Sequence, residues 1–551
     1  MKKKQVLGTA LTSAVAVSMV LTGCGGSQPA QKPAETPAQT TQPAAEPAKA
    51  GPKKLIYARG GDSVSLDPIA VTDGESFRVT DNVLETLVKY KENNTEVVPG
   101  LAESWEIAPD GKTYTFKLRQ GVKFHDGTDF DAEAVVFNFE RWMDPNNPLH
   151  QKGKFEYYND MFGGLKGDEG HVIDSVKAVD KQTVEFKLKR PVSPFLNNLG
   201  MSTFAIASPT ALKESKDKFG EKPVGTGPFK FIEWKREDSI TLEKNPDYWN
   251  KGLPKLDQVV FKVIPDNSAR LTALINGEVD VLEGMNPDDV QSVKENAELQ
   301  LLTRPSMNVG YLGFNVEKKP LNDPKVRQAL SHAINKAGII EAFFAGMAQP
   351  ATNLLPPSLW GYNDSIQDRE YNLDKAKQLL AEAGYPNGFK LEFLAMPVAR
   401  PYMPNGQKIA EAIQQDLKKI GVETKIVSYE WATYLEKTKN GEMELFLLGW
   451  TGDNGDPDNF LGTLLNKNNI GGNNRSRYAS EEASKVLIAA QSEPDQAKRT
   501  ELYKQAQEII FKDAPLVPMI HSTPPLAAKK NVVGYVPHPT GSESLENVEL
   551  Q

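Results

Sequence analysis

The sequence predicts a two-lobed α/β fold, and three observations point to it. The chain has 551 residues, more than one hydrophobic core serves, so at least two domains are expected. From about residue 55 to residue 300 it is rich in short strands of period two, whereas after about Asn308 strands alternate with helices. From about Ser522 to Gln551 it returns to short strands punctuated by proline. A chain that builds one lobe, then another, then goes back must cross between them twice, here near 305–312 and near 518–524. The expected division is a first lobe over 53–307, with an extra sub-layer near 82–220, a second lobe over 308–521, and a return over 522–551. Two lobes on a two-strand hinge, with a ligand between them, are the plan of a protein that closes on what it binds.

The residues ahead of these lobes read as an address. Lys2, Lys3 and Lys4 precede an apolar run from Val6 to Leu21, which ends in Leu21-Thr22-Gly23-Cys24. This has the plan of an export signal over residues 1–23, and it is too short and too rich in Ala, Ser and Thr for a convincing spanning helix. The Leu-Thr-Gly-Cys tetrad resembles the bacterial lipobox, which implies cleavage before Cys24 and lipidation of its thiol. Residues 24–52 are mostly Pro, Ala, Gln, Thr and Glu without a large apolar side chain, so a disordered tether is expected. Cys24 is the single cysteine, which removes disulfides, cysteine nucleophiles and cysteine-ligated zinc from consideration. The expected location is extracytoplasmic, held at the outer face of the cell membrane by the lipid on Cys24.

Composition and missing motifs narrow the function. Against 64 Lys and Arg stand 72 Asp and Glu, a net charge of −8 that offers no field for nucleic-acid phosphates. HExxH, GxSxG and phosphate-loop motifs are absent and the six histidines are scattered, so a hydrolase is the weaker reading. His125, beside Asp126-Gly127 in a turn, and His332, within a helix, read as structural. Neither an enzyme, a cofactor nor a metal site is expected. The run Asp453–Asp458 suggests calcium only superficially, because Gly455 and Pro457 hold alternate ligand positions and no closing Glu follows.

The elements follow from local signals. Leu55-Ile56-Tyr57 opens the first lobe; Thr113–Leu118, Val184–Leu188 and Val259–Val263 alternate as half-buried strands; Ala132–Trp142 is helical. Asp323-Pro324 starts a helix expected to run to about Phe344, and another over about Leu373–Ala383 stops at Gly384. Strands at Leu391–Met396, Thr424–Ser428 and Leu445–Gly449 alternate with helices at Gly406–Ile420, capped by Asn405 and stopped by Gly421, and at Trp431–Thr438. That alternation predicts a largely parallel sheet.

In an open α/β sheet, ligands bind beyond the carboxyl ends of the strands. Here those ends carry Arg400-Pro401-Tyr402, Tyr429-Glu430-Trp431 and Trp450-Thr451-Gly452-Asp453. A zwitterion with an apolar middle suits such a rim: Asp453 for an ammonium, Arg400 for a carboxylate, aromatic rings between. Each residue has a plainer reading too. Asp453 reads equally as a turn residue, Trp431 and Trp450 as core, and Asp456 better as the start of a helix over Asp458–Leu465.

Several stretches carry a family resemblance: Gly449-Trp450-Thr451-Gly452-Asp453-Asn454-Gly455-Asp456-Pro457-Asp458-Asn459-Phe460, Met396-Pro397-Val398 with Arg400-Pro401-Tyr402, and Pro356-Pro357 with Trp360-Gly361-Tyr362-Asn363. Asn308–Leu312 with Pro324–Leu330, Gly100–Trp105, Lys123–Gly127 and Gly225–Phe229 add to it. Together they resemble the family 5 extracellular solute-binding proteins of ABC importers, and within these the dipeptide binders. The resemblance covers essentially everything after the tether. It implies the two-lobed periplasmic-binding-protein-like fold of type II, cluster C, with short peptides, mostly dipeptides, as ligands and separate permease subunits as partners to a monomer. Residue by residue it implies that Asp453 takes the peptide ammonium and Arg400 the carboxylate, with Tyr402, Trp431 and Gly452 in the same pocket and Thr72 near the peptide backbone. The disulfides of such proteins are missing, and Asn466–Arg477 is Asn- and Gly-rich where one would lie. Rival readings are a receptor for longer oligopeptides, haem or a metal chelate, and a peptide sensor.

Overall fold

The computed structural model of the chain describes residues 52–541 and 543–551. The expected signal, the lipidation site Cys24 and all of the tether except Pro52 lie outside the described residues.

Two large sheets organise the body. The first has seven strands in the order Leu299–Thr303, Pro525–Lys529, Val281–Leu282, Lys54–Arg59, Gln258–Val263, Ser239–Lys244 and Phe229–Lys235. Lys54–Arg59 runs parallel to Gln258–Val263, with Leu55 opposite Val259 and Tyr57 opposite Phe261. Those four side chains pack with Ile240 and Leu242 on one face, while Ala58 joins Leu271, Leu274 and Leu282 on the other. Both faces are therefore covered, and the alternation within Lys54–Arg59 sorts its residues between two cores.

A four-stranded antiparallel sheet forms the extra layer, in the order Ala102–Ile107, Thr113–Leu118, Thr183–Leu188 and Ile173–Asp180. Tyr114, Phe116 and Leu118 are its buried residues on the second strand. The helix Ala132–Met143, capped by Asp131, lays Phe139 against Phe186 with ring centroids 4.7 Å apart.

The second large sheet has six strands, in the order Ala348–Pro350, Leu516–Ser522, Asn308–Phe314, Leu445–Thr451, Lys390–Leu394 and Glu423–Val427. It is mixed rather than largely parallel. Parallel pairing is confined to Lys390–Leu394 and its two neighbours, and Asn308–Phe314 is antiparallel to the strands on either side. The cause is the double crossing: Asn308–Phe314 carries the chain into this lobe and Leu516–Ser522 carries it out, so these adjacent strands must oppose. The consequence is directional. Lys390–Leu394, Glu423–Val427, Leu445–Thr451 and Leu516–Ser522 all run back toward the first lobe and end facing it.

The crossings occupy 304–307 and 523–524. Asn308 ties them together: its Nδ2 donates 2.9 Å to the Ser522 carbonyl, and its Oδ1 accepts from the Ser522 N–H at 3.0 Å.

The expected helix from Pro324 to Phe344 is two helices, Pro324–Ala333 and Lys336–Phe343. Asn335 makes the break, because its side chain accepts 3.0 Å from the Gly338 N–H and caps a new helix instead of extending the old one. His125 Nε2 contacts the Gly227 carbonyl at 2.9 Å, and burial pushes its pKa down to about 4. His332 Nδ1 contacts the Glu370 carbonyl at 2.9 Å. Both histidines hold structure. Among the described residues, no helix is long and apolar enough to cross a membrane.

Candidate functional site

The ends of the second lobe's strands and the facing surface of the first lobe enclose a cavity of about 390 Å³, a volume suited to a small ligand. Thr72, Arg400, Tyr402, Trp431 and Asp453 all line it. Gly452 does not. Its N–H donates 2.8 Å to the Met307 carbonyl, and a Cβ there would stand 2.6 Å from the Phe460 ring, so its role is close packing behind the wall.

The acidic corner is built by the loop after Leu445–Thr451. Asn459, one residue into the helix Asp458–Leu465, accepts 2.8 Å from the Asp453 N–H and 3.0 Å from Trp450 Nε1. One amide thus fixes both the carboxylate and the neighbouring indole. Asp456 stays structural, accepting 3.0 Å from the Asp458 N–H and 2.8 Å from Arg499 Nη2. Across the cleft, Tyr157 of the helix Glu156–Phe162 donates its hydroxyl to Asp453 Oδ2 at 2.7 Å. Its ring also meets Trp450 edge-on at 5.9 Å. Burial pushes the pKa of Asp453 up to about 7; the hydrogen bond from Tyr157 pulls it down, and the charge of Asp81 adds to the rise. The wall offers this carboxylate neutral donors, so a cation would relieve it.

The basic corner is the loop after Lys390–Leu394. Arg400 and Met403 exchange backbone hydrogen bonds of 3.0 and 2.8 Å, which fold the Pro401-Tyr402 turn. The guanidinium lies 4.9 Å from the Trp431 ring centroid, and Trp431 in turn stacks on Tyr434 at 5.6 Å. Arg400 Nη1 donates 2.7 Å to Glu75 Oε1 of the first lobe. Arg400 Nη2 and Trp431 Nε1 are buried and have no hydrogen-bond partner among the described residues. Two orphaned donors at one corner call for an acceptor.

Tyr402 lies between the corners and feels both charges, Arg400 lowering and Asp453 raising a pKa that burial lifts to about 12. It packs against the strand at Gly449, where a Cβ would come within 2.3 Å of its ring. The sequence offered no sign of Tyr157 or Glu75, and Asn459 stood out only as part of the stretch Gly449–Phe460 that carries the resemblance. Glu75 sits in the first turn of the helix Gly74–Thr80, three residues before Arg78, a pattern that many solvated helix ends share. Among the described residues, no cluster of His, Cys, Asp or Glu could hold a metal ion.

Two lobes joined by two crossings, around a cavity with a carboxylate at one corner and orphaned donors at another, define a solute-binding protein. Comparisons with known proteins place it further: residues 96–472 match the bacterial extracellular solute-binding proteins, family 5 Middle, and the chain belongs to that family. It is 42% identical over 523 residues to the dipeptide-binding protein of Escherichia coli (strain K12), covering 92% of this chain and 96% of that one. It is 40% identical over 550 residues to heme-binding protein A of Haemophilus influenzae, covering 97% and 98%. Among solved structures it resembles the ABC transporter-associated periplasmic binding protein DppA from Helicobacter pylori in complex with the peptide STSA, with a TM-score of 0.85, 40% identity and coverage of 90% and 98%.

Proposed function

We propose that the protein is the substrate-binding lipoprotein of an ABC importer, tethered through lipidated Cys24, which captures short peptides, dipeptides foremost, and delivers them to separate permease subunits. The observation that carries the reading is the pairing of opposites across one cavity: a carboxylate raised by burial at Asp453, and unpartnered Arg400 Nη2 and Trp431 Nε1 donors at the other corner. A peptide supplies the complement of both, an ammonium for Asp453 and a carboxylate for Arg400 and Trp431. Tyr402, Trp450 and Thr72 would then face the middle of the chain.

Gripping both ends selects length. An extended residue spans at most about 3.3–3.6 Å, so two residues separate the termini by roughly 7 Å and three by roughly 10 Å. It also tolerates many side chains, since termini are common to all peptides. The relative named for heme and the relative bound to STSA keep haem and longer peptides as the alternatives to be tested.

The test is calorimetry with a dipeptide, its N-acetyl and C-amide forms, a tetrapeptide and haem. The expected outcome is tight binding of the free dipeptide and at least tenfold weaker binding of each blocked form. Equal binding of a blocked form would defeat the two-ended grip, and binding of haem alone would replace the peptide reading. Labelling by radioactive fatty acid that vanishes in Cys24→Ser tests the anchor.

A further inference from the structure

Arg400 is held from the opposite lobe. Its own lobe gives the guanidinium the Trp431 ring and a 3.4 Å contact to the Ala399 carbonyl, while the 2.7 Å charged hydrogen bond comes from Glu75. Glu75 is 2% exposed and is not among the cavity-lining residues, so it stands behind Arg400 and away from the guest. It does not depend on Arg400 for its own charge. Its second oxygen lies 3.2 Å from Arg78 Nη1 and 3.8 Å from Arg59 Nη1. Burial works against the Glu75 carboxylate, but Arg78, Arg400 and Arg59 together outweigh it and hold it below the usual range. Arg78 is anchored in turn by Glu283 at 2.7 Å, and Glu283 by Arg304 at 3.0 Å beside the first crossing.

The dependence is therefore one-sided. With the lobes apart, Glu75 keeps two cations, whereas Arg400 loses its charged hydrogen bond and the nearby carboxyl group of Asp73. With the lobes together, Glu75 occupies Nη1 and leaves the buried Nη2 without a partner among the described residues. We propose that Glu75 is the positioning residue for peptide carboxylates: closure brings it onto Arg400 Nη1, and this sets Nη2 in place for the carboxylate, so that the carboxylate site is assembled by closing. The proposal rests on the peptide reading above and deepens it, because it says how the site tells a carboxylate from an amide.

The experiment is the ratio of dissociation constants for a C-amidated dipeptide and the free acid, measured by calorimetry in the wild type, Glu75→Gln, Arg400→Met and the double variant. In the wild type the ratio should be at least tenfold. In E75Q the free acid should weaken about tenfold while the amide changes less than twofold, and in the double variant E75Q should add nothing to R400M. Glu75→Asp, which keeps the charge beside Arg78 and Arg59 but withdraws it from Arg400, should lower the ratio too, and it serves if E75Q fails to fold. An unchanged ratio in E75Q or E75D, equal weakening of acid and amide, or tighter binding of the acid would overturn the proposal while leaving the two-ended grip intact. A wild-type ratio near one would instead overturn the grip itself, and this inference with it.

Discussion

The two corners of the cavity are built on opposite electrostatic plans. At the basic corner, Arg400 is paired with Glu75 and stacked beside Trp431, so its charge is answered by protein before any guest is considered. At the acidic corner, Asp453 receives only neutral donors among the described residues, and burial lifts its pKa to about 7. A compensated charge adds directionality at small electrostatic gain, whereas an uncompensated one gains strongly from a counter-ion. The comparison assigns different duties to the two ends: the Asp453 corner should supply most of the affinity, and the Arg400 corner most of the discrimination.

The largest expected effect breaks the acidic corner. Asp453→Ala leaves a guest ammonium buried against neutral groups, and the loss should be about 2–5 kcal/mol, or some 30-fold to several thousand-fold in dissociation constant. Arg400→Met removes a charge that the protein already answers, so calorimetry should show a smaller loss than for D453A. Equal losses would erase the distinction between the corners.

Trp431→Phe sharpens the comparison at the basic corner, because it keeps an aromatic face near Arg400 and removes the orphaned Nε1 donor together with part of the indole. A single hydrogen bond is worth about 0.5–1.5 kcal/mol, so a two- to tenfold weakening of the free dipeptide is expected. The C-amidated peptide should be affected less. Unchanged affinity for both would remove Trp431 from the carboxylate site and leave its indole as packing on Tyr434.

These residues were unequally legible in the sequence. Arg400, Tyr402, Trp431 and Asp453 could be read as one rim because each follows a strand whose helix-flanked pattern is strong, and strand ends in such a sheet share an edge. Direction was harder. The helix-flanked pattern shows that Leu391–Met396 and Leu445–Gly449 are strands, but it does not say which way a neighbour runs, and so the antiparallel Asn308–Phe314 went unread. The opposite wall was hidden for another reason. Glu75 and Tyr157 lie on seven-residue helices, too short for clear periodicity, and their partners are 325 and 296 positions away. Nothing local records a contact that exists only when two lobes meet. Gly452 misled in the reverse sense: its neighbours Trp450 and Asp453 face the cavity while it packs inward against Phe460.

The smallest effect concerns stability, and its sign separates the corners once more. The folded pKa of Asp453, about 7, is above the unfolded value of about 3.9. Between these values the folded protein holds a proton that the unfolded chain has released, so stability falls as pH rises from about 4 to about 7. Asp453→Asn removes that dependence, and without peptide it should melt higher than the wild type at pH 7 and level with it at pH 4. The gain should be on the order of 1 kcal/mol or less, because opening the cleft rehydrates the carboxylate and caps the penalty. Glu75→Gln should do the opposite at neutral pH, since three guanidiniums hold that carboxylate low and its charge stabilises the fold above the ordinary carboxylate range. Melting curves of the two variants at pH 4 and pH 7 would show whether the charge at Asp453 is kept for the guest at the expense of the fold while the charge at Glu75 serves both; a D453N protein less stable than the wild type at pH 7 would mean that Asp453 is a structural residue after all.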